Sequence, residues 1–220
     1  MNQNLGVYGR KLGNMQFFTD DGAVVRVAVI EAGPCVVIDK RTMERDGYSA
    51  LVFGLGERKE KHTRKAQLGA FKKLNTTPKQ TVKEVRVPAD VAAKYEIGST
   101  IKLDEMFQVG DRVDTQGLTR GRGFTGVMRL WGFAGSCRSH GAHEYQRHGG
   151  SIGTNMTPGR TFPNHHMAGQ YGNQTVSMLN LRVARIEAEK HLIMIEGGVP
   201  GTKGSLVLVR KAVKTPAKKK

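Results

Sequence analysis

Acidic side chains are almost missing from a third of this chain. Between residues 115 and 186 there is one, Glu144, against eight arginines, and lysine is absent from the same stretch. Cysteine is scarce too: Cys35 and Cys137 are too few for a disulfide framework and suit a reducing compartment. No run of eighteen apolar residues occurs, so no membrane partner is expected. The N-terminus lacks an apolar stretch followed by a small-residue cleavage site, so a cytoplasmic location is expected. Hydrophobic residues make up 38% of the 220, low for a compact enzyme yet enough for one core.

What is present is positive charge, unevenly placed. The net charge is +16, and residues 1–114 contribute little of it, with 19 basic and 15 acidic groups. The excess sits in the arginine stretch and in residues 201–220, which hold six Lys, one Arg and no acid. A block of like charge repels itself unless a polyanion neutralises it, which points to nucleic acid.

Apolar patterning places strands at 22–30, 34–38, 48–53, 81–87, 106–117, 175–186, 191–196 and 205–210. The alternation in 175–186 changes phase near Met178 and Leu179, which predicts a β-bulge. A short helix is expected over 88–95, opened by Pro88, and weak helical periodicity marks 61–72. Strands at both ends with little helix predict a closed or nearly closed β-barrel. From His143 to Gly172 the chain has almost no aliphatic side chain and could not fix its own shape by apolar packing.

Three motifs compete for the chemistry. Residues 121–126, GRGFTG, spell a dinucleotide fingerprint, but polar DTQGLTR precedes them and VMRLWGFAGS carries no helical apolar stripe. Cys137, His140 and His143 form C-x2-H-x2-H, with His148, His165 or His166 as a fourth ligand. Zinc sites use such residues, although these lie among arginines that disfavour a cation. Cys137 beside a histidine could form a nucleophile, but only Glu144 is near enough in sequence to orient the base. The third reading is RNA recognition. Arginine grips phosphate bidentately and stacks on bases, whereas lysine acts as a point charge. Phe124, Trp131, Phe133, Tyr145, Phe162 and Tyr171 are interleaved with the arginines and could stack on unpaired bases or serve as local anchors. Residues 123–172, run out and back, could reach roughly 70–80 Å at full extension.

RGRGFTGVMRLWGF, SHGAH, GGSIGTNMTPGRTF, MAGQYGNQTVSMLNLRV and GGVPGTKGSLVLVR closely resemble the universal L-three family of large-subunit ribosomal proteins, in its bacterial form. The resemblance spans nearly the whole chain and is weakest over 57–100. It implies a mainly β protein, a six-stranded barrel of the translation-protein type with a small α/β insert and a long extended finger that penetrates RNA. On that pattern 1–56 begins the barrel, 57–100 is the insert, 101–118 and 174–212 complete the barrel, 119–173 is the finger and 213–220 a basic tail. Implied partners are 23S-type ribosomal RNA and neighbouring large-subunit proteins. No cofactor and no enzymatic activity are implied. Arg120, Arg122, Arg129, Arg138, Arg147 and Arg160 would flank the finger, with its tip at 149–158. Together with Trp131, His140, His143, His165, His166, Lys203, Lys218, Lys219 and Lys220 they are the expected RNA-binding residues. Some bacterial relatives carry a methylated glutamine in the tip. Thr154 matches that position and is kept as an RNA contact, without the modification.

Overall fold

The computed structural model describes residues 4–19 and 21–214. In chain order the elements are β1 (Gly6–Phe18), β2 (Val24–Glu31), β3 (Cys35–Arg41), α1 (Met43–Asp46), β4 (Ala50–Glu57), α2 (Lys65–Lys73) and β5 (Lys79–Arg86). Then come α3 (Ala89–Ala93), β6 (Thr100–Ile101), α4 (Leu103–Met106), β7 (Arg112–Leu118), β8 (Gly123–Thr125) and α5 (Val127–Trp131). The last four are β9 (Gly169–Tyr171), β10 (Thr175–Glu187), β11 (Leu192–Glu196) and β12 (Leu206–Lys211). They fall into two compact units, one running to Leu118 and resuming at Thr175, the other Thr119–Gln174.

Six strands of the first unit close into a ring, in the order β1-β12-β7-β10-β11-β2, every pairing antiparallel. Closure leaves no strand edge exposed to template pairing with another chain. Period-two alternation turns Ala28 and Ile30, Ile193 and Ile195, and Val207 and Val209 inward, all fully buried. In β1 the alternation runs through Val7, Gly9 and Lys11, all buried, and fails beyond the bulge. Residues 6–10 pair with β12 and 10–18 with β2, across a bulge between Lys11 and Gly13. Gly9 sits where strands approach closely; a Cβ there would lie 2.7 Å from the Glu31 carbonyl oxygen. The expected bulge in β10 is present: the register against β7 shifts between Met178 and Leu181. Asn180 takes the left-handed conformation there, and its amide donates to Asp114 Oδ1 at 3.0 Å. Lys11 pins the 197–205 loop from inside, its Nζ donating to the Val199 carbonyl at 2.7 Å and that of Gly201 at 3.2 Å.

A second sheet, ordered β5-β4-β3-β6, shares one apolar core with the ring, through Cys35, Val37, Leu51, Phe53 and Val85. This corrects the expectation that 1–56 belongs to the ring. β3 and β4 were recognisable as strands, but they pair with β5 and β6, so the inserted layer begins near Cys35. The strand expected over 106–117 also begins late: Met106 ends α4, and pairing starts at Arg112, opposite Arg182 of β10. α2 lies on this layer through Phe71, which packs with Ile38, Val52 and Leu74. No helix among the described residues is long and apolar enough to cross a membrane.

The two cysteines end in opposite environments. Cys35 is fully buried with Sγ 3.1 Å from the Tyr8 carbonyl, and burial pushes its thiol up to about 11. Cys137 is exposed. A disulfide reagent at pH 8 is therefore expected to label Cys137 at once and Cys35 only as the chain unfolds. Two rapidly reacting thiols in the native chain would contradict the packing of β3.

Candidate nucleic-acid interface

The unit Thr119–Gln174 is tied together at its base by backbone bonds and turn residues. The Thr119 amide donates to the Gln174 carbonyl at 2.9 Å, and the Gln174 amide returns a bond to Thr119 Oγ1 at 3.2 Å. β8 and β9 add three residue pairs, Gly123 with Tyr171, Phe124 with Gln170 and Thr125 with Gly169. At Gly172, with φ +69°, the backbone presses so closely on the Arg120 carbonyl that no Cβ fits.

Beyond that base there is almost no interior. Thr125 and Val127 are the buried residues of the whole 56-residue unit, and 149–160 is exposed throughout. Its aromatic contacts are local instead. The Trp131 ring stacks on His166 with centroids 4.0 Å apart and planes 1° from parallel, and Trp131 Nε1 donates to the Met167 carbonyl at 2.8 Å. Phe133 leans on the same histidine, Tyr145 meets His148 edge-on, and Arg122 lies over Tyr171 at 5.0 Å. The rings therefore divide. Trp131, Phe133 and Tyr171 brace the unit, whereas Phe124, 79% exposed, and Phe162 offer open faces. In the tip, Thr154 Oγ1 donates to the Thr157 carbonyl at 2.8 Å, and Ser151 Oγ donates to that of Gly153 at 3.0 Å.

Electrostatics set this unit apart. Beside the second sheet two arginines are neutralised: Arg41 meets Asp46 at 3.2 Å and Glu84 at 3.0 Å, and Arg45 meets Asp39 at 3.1 Å. Arg120, Arg122, Arg129, Arg138, Arg147 and Arg160 are all exposed, and among the described residues none forms an ion pair with an acid. Six guanidinium forks thus present their donors outward. His140, His143 and His165 are exposed beside them. Lys203 is exposed in the other unit, and Lys218, Lys219 and Lys220 lie outside the described residues.

The competing motifs lose their geometry. No three His, Cys, Asp or Glu side chains among the described residues are placed to share a metal ion, so Cys137, His140 and His143 do not assemble into a zinc site. GRGFTG does lead into a helix, contrary to the sequence expectation, but α5 has five residues and β8 belongs to a two-stranded ribbon. A dinucleotide site needs a buried parallel strand and a long helix. Sequence reasoning overlooked Ile152 and Met156, 59% and 87% exposed in the tip. The available signal was their isolation among Gly, Ser and Thr, with no apolar neighbour to bury them.

A surface of guanidinium forks without an ion pair among the described residues, with open rings on a unit of two buried residues, has the chemistry of the class of proteins that recognise folded polyanion. Comparison with known proteins makes the assignment particular. A family model described as Ribosomal protein L3 matches residues 55–192. The chain is 60% identical over 214 residues to the large ribosomal subunit protein uL3 of Sorangium cellulosum, covering 97% of this chain and 92% of that protein. It is 46% identical to the uL3 of Myxococcus xanthus, over 95% of this chain and 93% of the relative, and 46% identical to that of Magnetococcus marinus, over 95% and 96%. The chain belongs to the ribosomal protein L3 family.

Proposed function

We propose that this chain is a structural constituent of the large ribosomal subunit that binds 23S-type ribosomal RNA early in assembly and catalyses no reaction of its own. The ring is a barrel of the translation-protein type, and 119–173 is a finger that penetrates the RNA towards the peptidyl-transferase centre with 149–158 at its tip. There it braces RNA helices while the RNA performs the chemistry. The ring and the inserted layer meet neighbouring ribosomal proteins, and 213–220 adds a basic tether. The particle works in the cytoplasm.

One observation carries this reading: six arginines without an acidic partner among the described residues, on a unit that buries only Thr125 and Val127. Such a unit gains its order from the polyanion around it. Crosslinking on intact large subunits tests the placement, with RNA crosslinks expected across 149–158. Crosslinks confined to protein, or to RNA at the subunit surface, would overturn it. Fork geometry is tested separately. Arg147→Lys and Arg160→Lys keep the charge and lose the bidentate grip, so subunit yield in reconstitution should fall several-fold. Yields equal to the parent would show that charge alone suffices.

A further inference from the structure

The densest positive charge of the described residues lies in neither the arginine unit nor the tail. Residues 58–83 hold nine Lys and Arg against one acid, Glu60, whereas 119–174 holds six Arg against one acid in more than twice the length. Averaging over 1–114 conceals this, because the rest of that stretch is net acidic. Of the nine, Lys79 meets Glu57 at 3.7 Å; the other eight are exposed and form no ion pair among the described residues.

α2, in the middle of this stretch, breaks three local rules on its exposed side while its buried side is ordinary. Phe71 packs on the sheet with Leu74, and Leu68 is half-buried. Its N-cap is Arg64, with no capping hydrogen bond, and Lys65 follows with no acid in the first turn. Cations there oppose the helix dipole and add no cap. Gly69 sits mid-helix with open space where a Cβ would be, so packing does not require a glycine that costs about 1 kcal/mol against alanine. Lys65, Gly69 and Lys72 follow one another at the spacing of one helix face, with Lys73 beside them. Features that weaken a free helix yet leave a smooth cationic surface make sense when something anionic lies against it.

The residue types select the anion. Lysine predominates, so recognition is by point charge rather than by fork. Apart from His62, the one aromatic of 58–83 is Phe71, and it is buried, so no ring is available to stack on an unpaired base. Single strands are held by stacking platforms, whereas a duplex presents phosphates and hides its bases. We infer that the exposed face of α2, with Arg64, Lys65, Lys72 and Lys73, is a second RNA-docking surface that takes the phosphate backbone of a double helix, independently of the arginine unit. This rests on the ribosomal reading and adds a second site of different chemistry to it.

The full-length chain is titrated with two probes over 50–200 mM salt, a 20-base-pair RNA duplex of arbitrary sequence and a single-stranded RNA of equal length. The variant R64Q/K65Q/K72Q/K73Q should flatten the duplex slope of log K against log salt by about 3 to 4, leaving the single-strand slope unchanged. K65R/K72R/K73R should keep the parent slope for both probes. Circular dichroism confirms folding; if the quadruple variant does not fold, K65Q and K72Q singly should each flatten the duplex slope by about 0.9. An unchanged duplex slope, or an equal change for both probes, overturns the duplex surface while the ribosomal reading stands. A parent chain that binds neither probe would sink both.

Discussion

Raising salt from 50 to 200 mM should weaken binding of the full chain to large-subunit RNA by about a thousandfold or more. The reason is counterion release. Each phosphate neutralised by a lysine or arginine frees a condensed cation, and log K falls with log salt at a slope of about −0.9 per contact. If the six unpaired arginines of 119–174 each take a phosphate, the slope is near −5 before any other cation counts. These arginines are well suited to that exchange because no acid among the described residues pairs with them. Arg41 and Arg45, paired with Asp39, Asp46 and Glu84, should contribute nothing. A slope near zero would mean that binding is driven by something other than phosphate contacts.

The second large effect is in the RNA-free protein, read by amide exchange. Amides in the ring strands around Val113, Val183, Ile193, Val207 and Val209, all fully buried, should open only with the whole core. Even a stability of about 5 kcal/mol corresponds to a slowing of roughly 10³–10⁴-fold. Amides over 135–170 should exchange close to the rate of an unstructured chain. The bonds there are few, such as Ser136 to the Gln146 carbonyl at 3.1 Å and Tyr145 to that of Ala142 at 2.9 Å, and no core shields them. Protection throughout 135–170 would show that this unit folds without RNA, contrary to the central physical argument for its function.

Those two expectations were largely readable from the sequence because they depend on composition, which survives without coordinates. Local patterns survived as well: the phase change near Met178 marked the bulge, and the gap between the strands expected at 175–186 and 191–196 marked the turn between β10 and β11. What was lost was non-local. Nothing in CVVID or ALVFG says which sheet a strand joins, so β3 and β4 were given to the ring when they pair with β5 and β6. β1 was invisible as a strand because Gly6, Gly9 and Gly13 interrupt its apolar pattern, and at Gly6 and Gly9 the neighbouring strands approach too closely for a Cβ. At the interface, the arginines were legible as a set, but the division of the rings was not. Trp131 has the same side chain whether it stacks on His166 or on a base, and only the position of residue 166 decides.

Leu118 and Thr175, the residues that flank the 56-residue unit, are register partners on β7 and β10. The ladder therefore continues up to the point where the chain departs and picks up again at the facing residue. A two-residue hairpin could occupy the same socket. Stretching such a loop from about two residues to 56 costs the chain only about 3 kcal/mol in closure entropy. Evolution could thus lengthen, shorten or rewrite the graft to follow a changing RNA, while the host domain that carries it stays the same.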